Sequence, residues 1–129
     1  MFLLSEETLI CSSRRKPSPE GGAAITGHNW RIVASVEATE LDERGEILPQ
    51  GLLGELLWQV VQPLDHRHLD DIPPFDEAPG PTPARIALHV WNGLDQLLST
   101  RPAALAEIAV WTSSTECTRF RGPLPQLLP

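Results

Sequence analysis

From Asn29 to Glu40 the chain alternates. Trp30, Ile32, Ala34, Val36 and Ala38 share one parity; Asn29, Arg31, Ser35 and Glu37 share the other, with Val33 the exception. A period of two is that of a half-buried strand. Upstream, Phe2 to about Ser13 predicts a strand in its later half, where Thr8, Leu9 and Ile10 follow one another. The run RRKPSPEGG, 14–22, reads as a loop because charge, proline and glycine crowd into it. DERG at 42–45 predicts a turn, and the period then changes. Leu53, Leu56, Leu57, Val60 and Val61 form the stripe of an amphipathic helix within 49–63, which Pro63 stops. A polar, proline-rich connection fills 64–80. Thr82 then suits an N-cap and Pro83 the first position of a second helix. Ile86, Ala87, Val90, Trp91, Leu94, Leu97 and Leu98 form its buried stripe. Ala106 to Ser113 and Thr118 to Arg121 predict two further strands. The order β-β-α-α-β-β predicts an α+β fold, an antiparallel sheet with two helices packed on one face.

Composition narrows this picture. The chain has 129 residues and is 41% hydrophobic, enough for one domain with a core, placed at 1–122. Ten of the 13 prolines fall in three groups, and the last marks 123–129 as a proline-rich tail. A net charge of -7 repels phosphate backbones and anionic membranes, so neither nucleic acid nor membrane is expected as a partner. The start, MFLLSEETLI, has no basic leader, and no apolar run reaches transmembrane length. Two cysteines, Cys11 and Cys117, make no disulfide framework. The expectation is a soluble cytoplasmic protein with reduced thiols.

Three short stretches, GHNW at the entrance to the second strand, LDHRHLDDIP after the first helix and GPTPARIA opening the second, together with the order of elements, carry a resemblance. From about Leu9 to Gly122 the chain resembles the 6-pyruvoyl-tetrahydropterin synthase and 6-carboxytetrahydropterin synthase family. The resemblance implies the T-fold: a four-stranded antiparallel sheet, two helices on one face, and subunits closing into trimers or hexamers with cavities at their interfaces. It also implies zinc lyase chemistry on dihydroneopterin triphosphate, and here the residues depart. The family's first zinc histidine matches Ser13. Its second strand opens with His-Gly-His, where this chain has Thr26-Gly27-His28. Zinc takes three or four nitrogen, sulfur or carboxylate ligands, and neutral hydroxyls are poor substitutes. No metal and no cofactor are therefore expected. Cys11, His66 and His68 lack a recognised ligand spacing. The catalytic cysteine position falls on Gly22, the pterin-anchoring glutamate on Thr112, and the glutamate after Pro-Thr on Ala84. Glu116, four residues past Thr112, is expected to lie elsewhere.

One feature persists. The family's proton-transferring Asp-His pair matches Asp65-His66. A carboxylate beside an imidazole orients it for acid–base work near neutral pH. The alternative is a turn-capping Asp65 and a surface His66. His28 is expected to face the ancestral cavity with Ser13, Thr26 and Trp30. Asp65, His66 and His28 are thus the candidate catalytic residues, and Ser13, Thr26, Trp30 and Thr112 the candidate substrate contacts. Plainer roles are expected for the rest: His68 solvated, His89 on a helix flank, Cys11 a small core residue, Cys117 in a polar turn. Arg14, Arg15 and Lys16 read as a solvated loop or as a contact to an anionic substrate. Three functions compete. The first is a repurposed, metal-free small-molecule enzyme of cyclase, isomerase or dehydratase type, working as a homo-oligomer in a specialised biosynthesis. The second is a non-catalytic binding or assembly subunit. The third is a zinc lyase.

Overall fold

The computed structural model describes residues 1–17 and 20–122. The order is β-β-α-α-β-β, as the sequence predicts. Strand β1, Phe2–Pro17, and strand β2, Ala23–Ala38, form one long antiparallel hairpin. Strands β3, Ala104–Trp111, and β4, Cys117–Phe120, complete a sheet in the order β1-β2-β3-β4. Helix α1 runs Leu52–Val61 and helix α2 runs Pro83–Leu98. No helix among the described residues is long and apolar enough to cross a membrane.

The strand β2 parity sorts core from surface. Trp30, Ile32, Ala34 and Val36 are fully buried. They meet Leu53, Leu57 and Val61 of α1 and Ile86, Ala87, Val90, Trp91, Leu94 and Leu98 of α2 in one apolar cluster. Burying a side chain of this size stabilises by about 1.5–3 kcal/mol, and truncating one to alanine costs about 2–5 kcal/mol. Thr82 caps α2: its Oγ1 accepts the Arg85 N–H at 3.2 Å, and Pro83 follows at the first turn.

The first part of the predicted loop 14–22, residues 14–17, is strand. Arg14, Arg15 and Lys16 continue β1, pairing with Thr26, Ile25 and Ala24, and β2 begins six residues earlier than the alternation suggested. Local composition argued against pairing there, but the ladder that pairs Ile10 with Trp30 continues outward through it. Helix α1 is shorter than 49–63: Gly51, at φ 85°, starts it, and Pro63 lies in a 3-10 turn, Gln62–Leu64. The segment after that turn lies against the outer edge of β1. His66 N–H donates to Cys11 O at 2.7 Å, and Ser13 N–H donates to Arg67 O at 3.0 Å. A short parallel bridge joins Ser13 to His68. Part of an otherwise open sheet edge is covered in this way. The proline-rich tail 123–129 lies outside the described residues.

Candidate functional site

An open cleft of about 460 Å³ lies where β1, β2 and the 65–68 segment meet. Cys11, Ser13, His28, Asn29, His66 and His68 contribute to its lining. A second open depression of about 490 Å³ shares His28 and Asn29 and runs to Arg31, Trp111 and Thr112.

Asp65 ends the 3-10 turn, with its side chain 18% exposed. Its Oδ1 accepts the Cys11 N–H at 2.9 Å, and its Oδ2 lies 3.5 Å from His66 Nε2. His66 holds φ 56°, in the left-handed region, which costs a non-glycine residue about 1 kcal/mol. That geometry lets its N–H reach Cys11 O while the ring stands out, 80% exposed, at the lip of the cleft. Backbone strain of this kind concentrates at functional sites.

His28 is held differently. Its Nε2 lies 2.9 Å from Thr26 Oγ1 and 3.3 Å from Arg14 Nε. The Nε2 lone pair therefore accepts, and the ring sits 5.0 Å from that of Trp30. Burial lowers the His28 pKa below its ordinary value, and the positive charges of Arg14 and Lys16 lower it further. The imidazole is neutral at pH 7. Arg14 turns inward, its guanidinium 5.1 Å from the Trp30 ring and 3.4 Å from Pro81 O. Burial lowers the Arg14 pKa, while Asp70 and Glu116 oppose the shift. Glu116, expected elsewhere, thus lies within electrostatic reach of this end of the hairpin.

Register decides which candidates meet. Ser12 pairs with His28 and Arg14 with Thr26, whereas Ser13 pairs with Gly27. Directly opposed residues share a face and neighbours alternate. Ser13 therefore leaves the sheet on the side opposite Thr26 and His28. Its Oγ lies 2.9 Å from His68 Nδ1 instead. Trp30 lies beneath His28 and Arg14, fully buried, with its indole N–H unpartnered among the described residues. Thr112 belongs to the second depression, and its backbone N–H donates to Glu116 O at 3.2 Å. Ser13, His28 and His66 all border the cleft, but the Ser13 and His28 side chains leave opposite faces of the sheet; Trp30 lies under His28, and Thr112 lies apart.

Other expectations change. Cys11 is exposed rather than in the core, and its thiol donates to Asn29 Oδ1 at 3.0 Å. The signal was present: Ile10 faces the core, so its neighbour faces out. His68 is not solvated; its side chain is 24% exposed and bonded to Ser13. No sequence signal announced this, because the contact joins residues 55 apart. His89 is on the flank of α2 as expected, 5.3 Å from the Phe75 ring, and burial lowers its pKa.

The zinc implied by the resemblance does not fit this donor set. The three matched positions face two sides of the sheet, and the one imidazole among them has its Nε2 engaged by Thr26 and a guanidinium. No group of three or more His, Cys, Asp or Glu among the described residues is placed to hold a metal ion.

The model of the 6-pyruvoyl tetrahydropterin synthase family matches residues 4–123. The chain belongs to that family. It is 26% identical over 123 residues to the human 6-pyruvoyl tetrahydrobiopterin synthase, covering 94% of this chain and 79% of the relative. The fold is shared with the Caenorhabditis elegans 6-pyruvoyl tetrahydropterin synthase structure at a TM-score of 0.75 and 19% identity, over 95% and 98% of the two chains. The Plasmodium vivax 6-pyruvoyl tetrahydropterin synthase structure gives a TM-score of 0.70 at 14% identity, over 96% and 100%. Within this T-fold family, then, the chain keeps the architecture.

Proposed function

We propose that this protein is a divergent 6-pyruvoyl-tetrahydropterin synthase-like enzyme that acts on a small molecule without zinc. The reaction type is cyclase, isomerase or dehydratase chemistry, in which protons move and no electrons are exchanged with a cofactor. His66 is the acid–base group and Asp65 orients it. His28, neutral at pH 7, faces the reacting molecule from the other strand. Ser13 supplies a hydroxyl contact at the cleft and Thr112 one in the adjoining depression, while Thr26 and Trp30 hold and support His28. Residues 1–122 act as one domain, in a cytoplasmic homo-oligomer of three or six copies.

One observation carries this reading: the strained His66 backbone, which holds an exposed imidazole 3.5 Å from a carboxylate at the mouth of the cleft. The test is turnover of small molecules from a cell extract by chelator-treated protein, followed by mass spectrometry. Wild type should consume a substrate that His66→Ala consumes about 10²–10⁴-fold more slowly. Unchanged turnover by both His66→Ala and His28→Ala would refute the proposal.

A second reading is a non-catalytic assembly subunit. It draws on the same hydrogen bonds: Asp65 Oδ1 braces β1, and the His28 Nε2 is held by Thr26 and Arg14. It predicts a stable protein partner in purification and no turnover of any extract component.

A further inference from the structure

On the β1 edge of the cleft, three side chains outside the Asp65-His66 pair stand in sequence. Ser13 Oγ lies 2.9 Å from His68 Nδ1. His68 Nε2 lies 3.7 Å from Asp70 Oδ1. Asp70 Oδ1 is itself fixed, accepting the Arg15 N–H at 2.7 Å. Ser13 and His68 both contribute to the cleft lining.

A hydroxyl is a weak nucleophile until a base within hydrogen-bond reach takes its proton, and the base works best when a third group fixes its orientation. All three parts are here. Asp70 Oδ1, 3.7 Å from Nε2, lies beyond hydrogen-bond distance and acts on the ring through its charge, which favours the tautomer with the proton on Nε2. That leaves the Nδ1 lone pair directed at the Ser13 hydroxyl, as proton abstraction requires. The frame is rigid on both sides. Ser13 N–H is tied to Arg67 O, and Leu69, between the base and the carboxylate, is fully buried. His68 and Asp70 are each 24% exposed, so the pair is partly shielded from water while Ser13 opens onto the cleft.

We propose that Ser13, His68 and Asp70 form a nucleophilic relay that accepts acyl or phosphoryl groups from small activated esters. In the acyl case Ser13 Oγ adds to the ester carbonyl and its proton passes to His68 Nδ1. The C–O bond to the leaving alcohol breaks, and that alcohol takes the proton from His68. Water, deprotonated by the same nitrogen, then releases the acid and restores the serine. The relay uses neither Asp65 nor His66 and does not depend on their assignment.

The test uses a fluorophosphonate, in which the Ser13 oxygen–phosphorus bond forms as the phosphorus–fluorine bond breaks. Fluoride leaves, and the Ser13 proton is released to solvent through His68. Tryptic mass spectrometry locates the adduct. The expected result is an adduct on the Ser13 peptide, absent in Ser13→Ala. His68→Gln should slow labelling about 10²–10⁴-fold, and Asp70→Asn should slow it less. His89→Gln, outside the relay, should label as wild type. Thermal unfolding of each variant separates lost chemistry from lost structure, and the wild-type labelling needs no variant at all. No Ser13 adduct on wild type at saturating probe would overturn the proposal. So would an undiminished rate in a folded His68→Gln variant.

Discussion

Replacing Arg14 with methionine isolates what the guanidinium does at His28. The substitution keeps an unbranched apolar chain over Trp30 and removes the charge and the donors. The lost contacts are a cation–π approach at 5.1 Å and long hydrogen bonds to His28 Nε2 at 3.3 Å and Pro81 O at 3.4 Å. A cation–π contact of this partly exposed kind contributes about 0.5–1 kcal/mol. Hydrogen bonds near the upper distance limit add little, and the guanidinium's own burial opposes them. The net loss is about 1 kcal/mol, or about 4 °C in melting temperature for a domain of this size. The second readout is sharper. Arg14 is the leading charge that lowers the His28 pKa, but burial is the larger cause. In Arg14→Met the His28 titration midpoint, followed by its imidazole proton resonances, should rise and still remain below the ordinary histidine value. High salt should raise the wild-type midpoint by screening and move the variant's less. An unmoved or lower midpoint in the variant would show that Arg14 does not face the ring, and the account of the hairpin end would fall.

Two further outcomes follow from individual groups. Because burial lowers the folded-state pKa of His28 and of His89, both are neutral above the unfolded value of about 6.5, and stability is complete there. As pH falls below it, the unfolded chain binds protons first, so stability should decline until the lowered folded values are passed. Denaturant midpoints measured from pH 8 to 5 should show this slope, and His89→Gln should flatten it. Thr82→Ala removes the acceptor for the Arg85 N–H and should cost about 1 kcal/mol by chemical denaturation, with no change in fluorophosphonate labelling.

The fold was legible because apolar periodicity marks buried faces directly. Trp30 to Val36 and Ile86 to Leu98 carry their environment in their spacing, and the predicted stripe residues are buried except Leu97, which is half-buried. Strand ends were less legible. Pairing partners, not composition, carried β1 through Arg14, Arg15 and Lys16, since a strand with a ready neighbour gains ladder bonds that no local propensity records. Cys11 shows a signal that was available and unused: its parity opposite Ile10 already placed it outside the core.

The site was less legible than the fold for a reason of parity. Positions 13, 26 and 28 follow a family motif by sequence spacing, but spacing does not state which residues lie opposite one another. In a hairpin, moving the register by one residue sends every side chain of a strand to the other face. The Ser13–Gly27 pairing fixes that choice here. It sends the Ser13 hydroxyl to His68 and leaves Thr26 and His28 with Arg14. A cation is thus present at His28, but it is a guanidinium that donates protons rather than an ion that accepts lone pairs. Such a partner adds to the larger effect of burial in lowering the imidazole's pKa, and it is no Lewis acid.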